Sequence, residues 1–565
     1  PAHASDLTAF SIGHAHIDTA WLWPVSETVR KCARTFSTQV SLMEKYPDYI
    51  FGASQAQQYY FIRKYYPALY DRIKKLVKKG QWEILGGMWV EADCNLISPE
   101  SMIRQILHGK NFFKDEFGAE ITNLWLPDVF GYSGAMPQIM KKSGLDFFLT
   151  QKLSWNQYNK FPHHTFQWQG IDGSAVIAHF PPEDTYNSPM TTKGQIFARD
   201  NFIDKDVCDE YLCLFGVGDG GGGPDENHIE RGMRMRDLEG CPKVRFSRAD
   251  DFFERTGRRK DSLKTWVGEL YFETHRGTLT TQALVKRFNR ELENKLRAME
   301  FLFSCLPLRD YPGEEMDRIW KQVLLHQFHD IIPGSSINRV YTETHAAYRD
   351  VSHRCDTLLE KTAFQLFERS QNGAVLFNSL PYDIVENITM PSGWKEHGVV
   401  DANGTPLPVQ KEGEELVAQV SIPAYSFVNL EKSAQPPNQA EPGRGLQLEN
   451  DLISYEFDKK GLLVKAWDKE ARRDILASGA SGNVFSLYED RPNDLDAWDI
   501  DIFYEQQKLE EARVVSIENL PGGPVRQGVR FIYSVGDSQI SQNVYLGRNS
   551  RRLDFVTTVD WRERH

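Results

Sequence analysis

A chain of 565 residues with 41% hydrophobic, 25% charged and 12% aromatic residues has a globular composition, which excludes a disordered, collagenous or coiled-coil protein. At roughly one domain per 150 residues it should hold about three or four domains. With 66 basic against 78 acidic residues, a formal charge of -12 and no long Lys/Arg block, it lacks the footprint of a nucleic-acid or anionic-membrane binder.

The first residues, PAHASDLTAF, carry neither the basic nor the apolar region of a signal peptide, and no apolar run approaches the length of a spanning helix. The sequence starts without Met and stops just after an alternating, strand-like pattern, so it reads as a piece of a longer protein. Seven scattered cysteines without a CxxC pair favour a reducing, cytoplasmic compartment over a Cys-based zinc site.

From residue 8 to about 250, short apolar or β-rich runs alternate with helical patterns: LTAFSIG, IFGAS, EILGGMWV, NLWLPD, FFLTQK, AVIAHF, LCLFGVGD and KVRFS. This alternation predicts a parallel sheet covered by helices. The helix between the second and third runs places Leu69, Ile73, Leu76 and Val77 on one face and Lys74, Lys75, Lys78 and Lys79 on the other, a solvated side. From about 275 to 369 three helices follow, the first with Leu284, Phe288, Leu292, Leu296 and Met299 at helical spacing. Beyond residue 373 the pattern is all β, and a Pro/Gly-rich stretch, SAQPPNQAEPGRG, separates two groups of strands.

The runs of the first region end in polar residues: His14, His16 and Asp18; Glu91 and Asp93; Asp128; Gln151 and Lys152; and Asp219. Parallel sheets place functional groups at the carboxyl ends of their strands, so these residues point to an enzyme. In GHAHIDTAWLWP, His16 and Asp18 stand at i and i+2 past a strand end, and imidazole plus carboxylate suits zinc or a similar divalent metal. The alternative is a pair of hydrogen-bonded loop residues. Trp21 and Trp23 are flat apolar faces suited to stacking on a sugar ring, or to ordinary core packing. Asp128, at a strand tip between Pro127 and Phe130, is a candidate nucleophile or metal ligand, or a helix N-cap.

In LCLFGVGDGGGGPDENH, neither G-K-[ST] nor G-x-G-x-x-G is present, so a flexible loop bringing Asp219 to substrate fits better than a nucleotide cradle. In LLHQFHDIIPGSS, His326 and His329 read as i and i+3 neighbours on a helix, with Asp330 holding an imidazole from behind.

Together these motifs resemble the family 38 glycoside hydrolases, the retaining α-mannosidases. GHAHIDTAWLWP, GGMWVEADCNL, LWLPDVFGYS, LTQKLSWN, FPHHTFQWQG, GDGGGGP, VGELYFETHRGTLTT and HQFHDIIPGSS occur in the family's order, over roughly residues 8 to 340. Their wording is most similar to the branch of cytosolic, metal-activated enzymes that trim free oligosaccharides. The resemblance implies hydrolysis of terminal α-D-mannosyl residues of an oligosaccharide by a metal-assisted double displacement. The alternative is a catalytically impaired carbohydrate-binding relative.

It further implies zinc, or cobalt or another divalent metal, held by His16, Asp18, Asp128 and His329, with Asp128 also the nucleophile and Trp21 the aromatic under the sugar. The acid/base is assigned to Asp219, with Asp225 and Glu226 as alternatives; Lys152 stands near an Arg of other branches, and Trp23, Asp184 and Tyr186 are further candidate sugar contacts. No nucleic-acid or membrane partner is implied, and the oligomeric state is left open.

The fold class read from elements and resemblance is α/β plus all-β: an N-terminal (β/α)7-like parallel barrel over 1–268, a three-helix bundle over 269–369, a small β domain over 370–434 and an incomplete β-sandwich over 446–565.

Overall fold

The computed structural model describes residues 7–368, 370, 372–437, 443 and 445–564; part of the Pro/Gly-rich stretch, 438–442 and 444, lies outside them. The chain forms two compact units. The first runs up to Leu296 and takes in Arg309–Thr357 and the short segment Asp494–Ile500; the second holds Arg297–Leu308, Leu358–Asn493 and the chain from Asp501 on.

The strands of the first unit are β1 (Thr8–His14), β2 (Phe51–Ala53), β3 (Trp82–Ile84), β4 (Asn123–Trp125), β5 (Phe147–Leu149), β6 (Thr165–Gln169), β7 (Ala175–His179), β8 (Glu210–Phe215), β9 (Lys243–Phe246) and β10 (Thr265–Val267). They form two five-stranded sheets. In one, β1 is central, paired in parallel with β8 along its length, with β9 near its start and with β2 at its end, and β3 follows β2. The other has the order β10-β6-β7-β5-β4 and is parallel except between β6 and β7. That pair is a hairpin, closed by the Gly170 N–H on the Ser174 carbonyl at 2.8 Å with Gly173 at φ 87°, and so short a connection can join only antiparallel strands.

The α/β class is as expected, and the strands of the expected barrel-like ring are distributed over these two sheets. One core joins them: Phe10, Ile12, Leu212 and Leu214 from the first pack with Trp125 and Leu149 from the second, capped by Phe252 and Phe253. Truncating such a residue to Ala would cost about 2–5 kcal/mol.

Helices flank the strands: α1 (Val25–Lys45), α2 (Ala56–Tyr65), α3 (Pro67–Lys79), α4 (Pro99–Phe117), α5 (Met136–Lys142), α6 (Thr192–Asn201), α7 (Glu226–Arg234) and α8 (Ala249–Gly257), followed by α9 (Ala283–Phe303), α10 (Gly313–Leu325) and α11 (Asn338–Leu366). α3 follows its sequence signals, with Pro67 in its first turn, Leu69 and Ile73 buried, and Gly80 closing it in the left-handed region at φ 80°. In α9 Leu292, Leu296 and Met299 are buried as expected, and Phe288 packs on Tyr348. Val285, Asn289 and Glu293 also point inward, while Leu284 is exposed. Asn289 and Glu293 join that buried face through a polar network around the Gln327 amide, which donates to both.

The second unit is antiparallel β with the chain's helical pieces. Two three-stranded sheets share a core of Met390, Trp394, Val409, Leu416, Val420 and Leu430. Two four-stranded sheets, spanning Gln447–Asp474 and Arg513–Asp560, are associated with a core that includes Leu448, Ile453, Phe457, Phe531, Val544 and Leu546. Among the described residues no helix is long and apolar enough to cross a membrane.

Candidate active site

The carboxyl end of β1 is pinned from several sides. The Gln55 and Gln58 amides donate to the Ile17 carbonyl at 3.0 and 2.7 Å, and the Thr28 hydroxyl and Trp23 indole donate to the Asp18 carbonyl, each at 3.3 Å. His14, His16 and Asp18 follow the period of two, but only the last two meet the site. His14 accepts from the Trp125 indole at 3.1 Å, and burial lowers its pKa to about 3, keeping it a neutral acceptor.

His329 arrives from the helical region, by a route that differs from the expected one. Helix α10 stops at Leu325, and residues 327–329 pair with the segment after β3: the Asp93 N–H bonds the Gln327 carbonyl at 3.0 Å, and Ala92 bridges Phe328. His326 and His329 therefore do not share a helical face. His326 packs on Tyr348, its Nδ1 3.3 Å from the Thr344 hydroxyl, and burial lowers its pKa to about 4. His329 turns inward. Its Nδ1 lies 2.7 Å from the Glu91 backbone carbonyl, an acceptor that draws the proton to Nδ1, and its buried Nε2 has no hydrogen-bond partner among the described residues.

Ligand atoms of His16, Asp18, Asp128 and His329 all lie within 4.8 Å of one another, in a buried cluster. His16 Nε2 is 2.8 Å from Asp18 Oδ1 and 3.6 Å from Asp128 Oδ2; His329 Nε2 is 3.6 and 3.8 Å from the same two oxygens. Glu91 sets both imidazoles, since its side chain lies 2.9 Å from His16 Nδ1 while its carbonyl takes His329 Nδ1. Both Nδ1 atoms thus face Glu91, His16 toward its carboxylate and His329 toward its backbone carbonyl, and both Nε2 atoms face Asp18 and Asp128, the orientation in which two deprotonated Nε2 atoms would bind one metal. Sequence reasoning placed Glu91 at a strand end without this role, because its partners come from β1 and from beyond α10.

Asp330 also faces this space from the Nε2 side, 3.9 Å from His329, and does not hold the imidazole from behind as expected. The carboxyls of Asp18, Asp128, Asp330 and Glu91 thus crowd around the two imidazoles, and Lys152 pairs with Asp128. Without a cation the cluster retains protons. Burial, aided by Asp330, raises Asp18 to about 7, and His16 is driven well above its usual range because Glu91 and Asp18 outweigh its burial. Two imidazole lone pairs, two carboxylates and an excess of negative charge fit a divalent cation of the zinc or cobalt type.

Asp128 divides its two oxygens. Oδ2 faces the cluster, and Oδ1 accepts from Lys152 Nζ at 2.5 Å. Burial opposes its ionisation, but Lys152 and the two imidazoles hold its carboxyl well below the usual carboxylate range. Lys152 is in turn surrounded by aromatic faces, 4.9 Å from the Phe130 centroid and 4.5 Å from that of Trp155.

These groups line a cavity of about 190 Å³ with Trp21, Phe130, Tyr186, Asp219, His275, Asp330, Leu495 and Trp498. Asp219 is held at φ 56°, accepts from the Tyr186 hydroxyl at 3.0 Å, and is tied to the first strand end by the Asp18 N–H on its carbonyl at 2.9 Å. The glycines after it are not a loose tether. A Cβ on Gly221 would stand 2.6 Å from the Thr35 hydroxyl and one on Gly223 2.7 Å from the Gln39 amide, so glycine there lets the loop close onto α1.

The remaining expected residues lie outside this cavity's lining. Trp23 spans Asp18 and Thr28, with Lys31 Nζ 4.0 Å over its ring. Asp184 accepts from the Asn201 amide at 3.0 Å and lines a separate cavity with Tyr158, Phe161 and His163. Asp225 caps α7 by accepting from the His228 N–H, and Glu226 pairs with Lys45 at 2.5 Å, so neither stands where an acid/base would act. Sequence reasoning missed His275, Leu495 and Trp498 as pocket residues; His275 lies in VGELYFETHRGTLTT, whereas 494–500 carries no local sequence signal.

Family models match along the chain: the glycosyl hydrolases family 38 N-terminal domain at residues 6–269, the alpha mannosidase middle domain at 273–366 and the glycosyl hydrolases family 38 C-terminal domain at 448–565. Alpha-mannosidase 2C1 of Homo sapiens is 39% identical over 99% of this chain and 54% of its own length, and alpha-mannosidase G of Dictyostelium discoideum 37% over 99% and 56%. An alpha-mannosidase of Saccharomyces cerevisiae is 36% identical over 82% of the chain and 44% of its own. The chain spans about half the length of these curated relatives. An alpha-mannosidase structure from Enterococcus faecalis shares the fold, with a TM-score of 0.80 at 18% identity over 98% of this chain and 74% of that one.

Proposed function

The chain belongs to glycosyl hydrolase family 38, and on that premise we propose that it is a retaining α-mannosidase acting on terminal, non-reducing α-D-mannosyl residues of oligosaccharides. The observation that carries this reading is the divided Asp128 carboxylate at the foot of a pocket that takes about one sugar ring. His16, Asp18, Asp128 and His329 would hold a divalent cation, zinc in this reading. A cation there supplies Lewis-acid binding of sugar hydroxyls and charge stabilisation.

The protein's own residues do the rest. Lys152 keeps Asp128 ionised and its Oδ1 aimed, so that the oxygen attacks the anomeric carbon as the glycosidic C–O bond breaks. Asp219, oriented by Tyr186, gives its proton to the departing oxygen, then takes one from the water that cleaves the glycosyl–Asp128 ester. Trp21 offers the ring a flat face, and its buried indole N–H has no partner among the described residues. With a carboxyl in both roles lining one pocket, no observation favours the impaired binding relative.

Turnover of an aryl α-mannoside with and without chelator, with NMR of the first-formed sugar, tests the proposal. α-Mannose as initial product and loss of turnover in chelator are expected; β-mannose, or chelator-resistant turnover, would reject it. A reducing, cytoplasmic setting is part of the same reading, supported by seven cysteines without a disulfide, six of them buried.

A further inference from the structure

The cavity has a graded wall. Asp18, Asp128, Lys152, Tyr186, His275 and Asp330 at its foot are buried, whereas Trp155 and Leu495 at its mouth are 46% and 39% exposed, and Trp498 beside them is half-buried. A volume of about 190 Å³ is small for a ligand pocket and suits a single ring. Any further saccharide must leave across the mouth.

The segment there is built in detail. The Trp498 ring stacks on His275 at 5.5 Å and 28°, and is tilted 44° to Trp21 at 6.0 Å. His275 is itself wedged edge-on against Phe130 and Phe272, at 4.7 and 5.0 Å. The N–H groups of Trp498 and Asp499 both donate to the Leu495 carbonyl, at 2.8 and 2.9 Å, and Leu495 sits in the left-handed region at φ 58°, a strained setting for its side chain. Asp499 accepts from the Arg276 N–H at 3.3 Å. The approach requires Gly277, where a Cβ would stand 3.0 Å from the Trp498 carbonyl oxygen and 3.2 Å from that of Asp499. No described residue accepts from the Trp498 indole N–H, whereas the Trp155 indole is committed to the Asp184 carbonyl.

We propose that the Asp494–Ile500 segment is the specificity element for the leaving saccharide, with the Trp498 indole as the platform on which that sugar lies. The inference rests on the α-mannosidase reading. A strained turn, locked to Arg276 and Gly277, presents an aromatic face and a free N–H donor where the second sugar must pass, the combination that a sugar's C–H face and hydroxyls take up.

The test compares α-mannosyl fluoride, whose leaving group has no surface to stack, with an α-linked mannobiose. Trp498→Ala should lower kcat/KM for the disaccharide by about tenfold, mainly through KM, while changing fluoride hydrolysis by less than about threefold; Trp498→Phe should recover most of the loss. Gly277→Ala, which leaves every lining side chain in place but collides with the segment's backbone, should reproduce the selective loss and decides the matter if Trp498→Ala does not fold. Equal losses on both substrates would make Trp498 a support of the inner pocket, and no loss on either would make it a bystander; each overturns the proposal. A wild-type protein that hydrolyses neither substrate would instead reject the α-mannosidase reading, and this inference with it.

Discussion

Glu91→Gln tests how much of the cation affinity rests on a residue behind the ligands. Glu91 is 1% exposed, with Oε2 2.9 Å from His16 Nδ1 and Oε1 accepting from the Ser54 hydroxyl at 2.5 Å. Gln keeps the volume and one acceptor, so packing survives, but the negative charge that makes His16 Nε2 a stronger donor to a metal is gone. Loss of such an outer carboxylate weakens metal binding by about 10–100-fold, or about 1.4–2.7 kcal/mol. Linkage carries the change into stability. With free zinc at about 1,000 times the wild-type Kd, the bound ion adds about 4.1 kcal/mol to the unfolding free energy, and a site about a hundredfold weaker retains about 1.4 kcal/mol of it. Competition with a chromophoric chelator measures the Kd directly, and thermal unfolding in zinc and in excess chelator measures the linkage. An E91Q protein binding zinc within about twofold of wild type, or destabilised equally in zinc and in chelator, would refute the argument and leave Glu91 a packing residue.

Lys152→Met removes the ammonium that holds Asp128 ionised against burial, so the acidic limb of kcat/KM against pH should move up by at least about one unit; an unmoved limb would deny Lys152 this role. His329→Ala should empty the metal site and abolish turnover while His326→Ala keeps both, read by metal content of the purified proteins. Asp219→Ala should slow a natural disaccharide far more than an aryl mannoside with an activated phenol, and azide should speed breakdown of the intermediate; equal slowing without azide rescue would make Asp219 structural. In chelator, the folded protein holds protons on Asp18, raised to about 7, and on His16 that the unfolded chain releases, so these two groups contribute stability that falls as pH rises from about 5 to 7, opposed by buried histidines such as His14 and His326 whose lowered pKa values act with the other sign. Zinc must displace those two protons, so the stabilisation by zinc relative to chelator should grow as pH rises from about 5 to 7, and a zinc-induced shift in melting temperature that does not grow over this window would contradict the assignment.

The parts of the site legible from sequence are those encoded among chain neighbours. His16 and Asp18 are two residues apart past an apolar strand, and a period of two sends both to one side; Asp128 stands at a strand tip between Pro127 and Phe130. His329 was assigned through resemblance, and helical spacing alone paired it with His326. What separated the two is the pairing of 327–329 with 91–93, a contact between distant segments that ends α10 at Leu325. Glu91 acquires its role from the same pairing.

The burial of Asn289 and Glu293 in α9 and the closing of the glycine loop onto α1 follow the same rule, since both depend on partners remote in the chain. The Trp498 segment is the extreme case. Nothing in RPNDLDAWDI distinguishes it from an ordinary loop, and only its seating on His275 and Gly277 makes it a wall of the pocket. Sequence by itself determined the strand and helix classes, the residue types of the buried His/Asp cluster and the family, because periodicity and motif are properties of adjacent residues. Tertiary structure alone decided which candidates share the pocket and what orients them, because those outcomes depend on packing and hydrogen bonding between segments far apart in the chain.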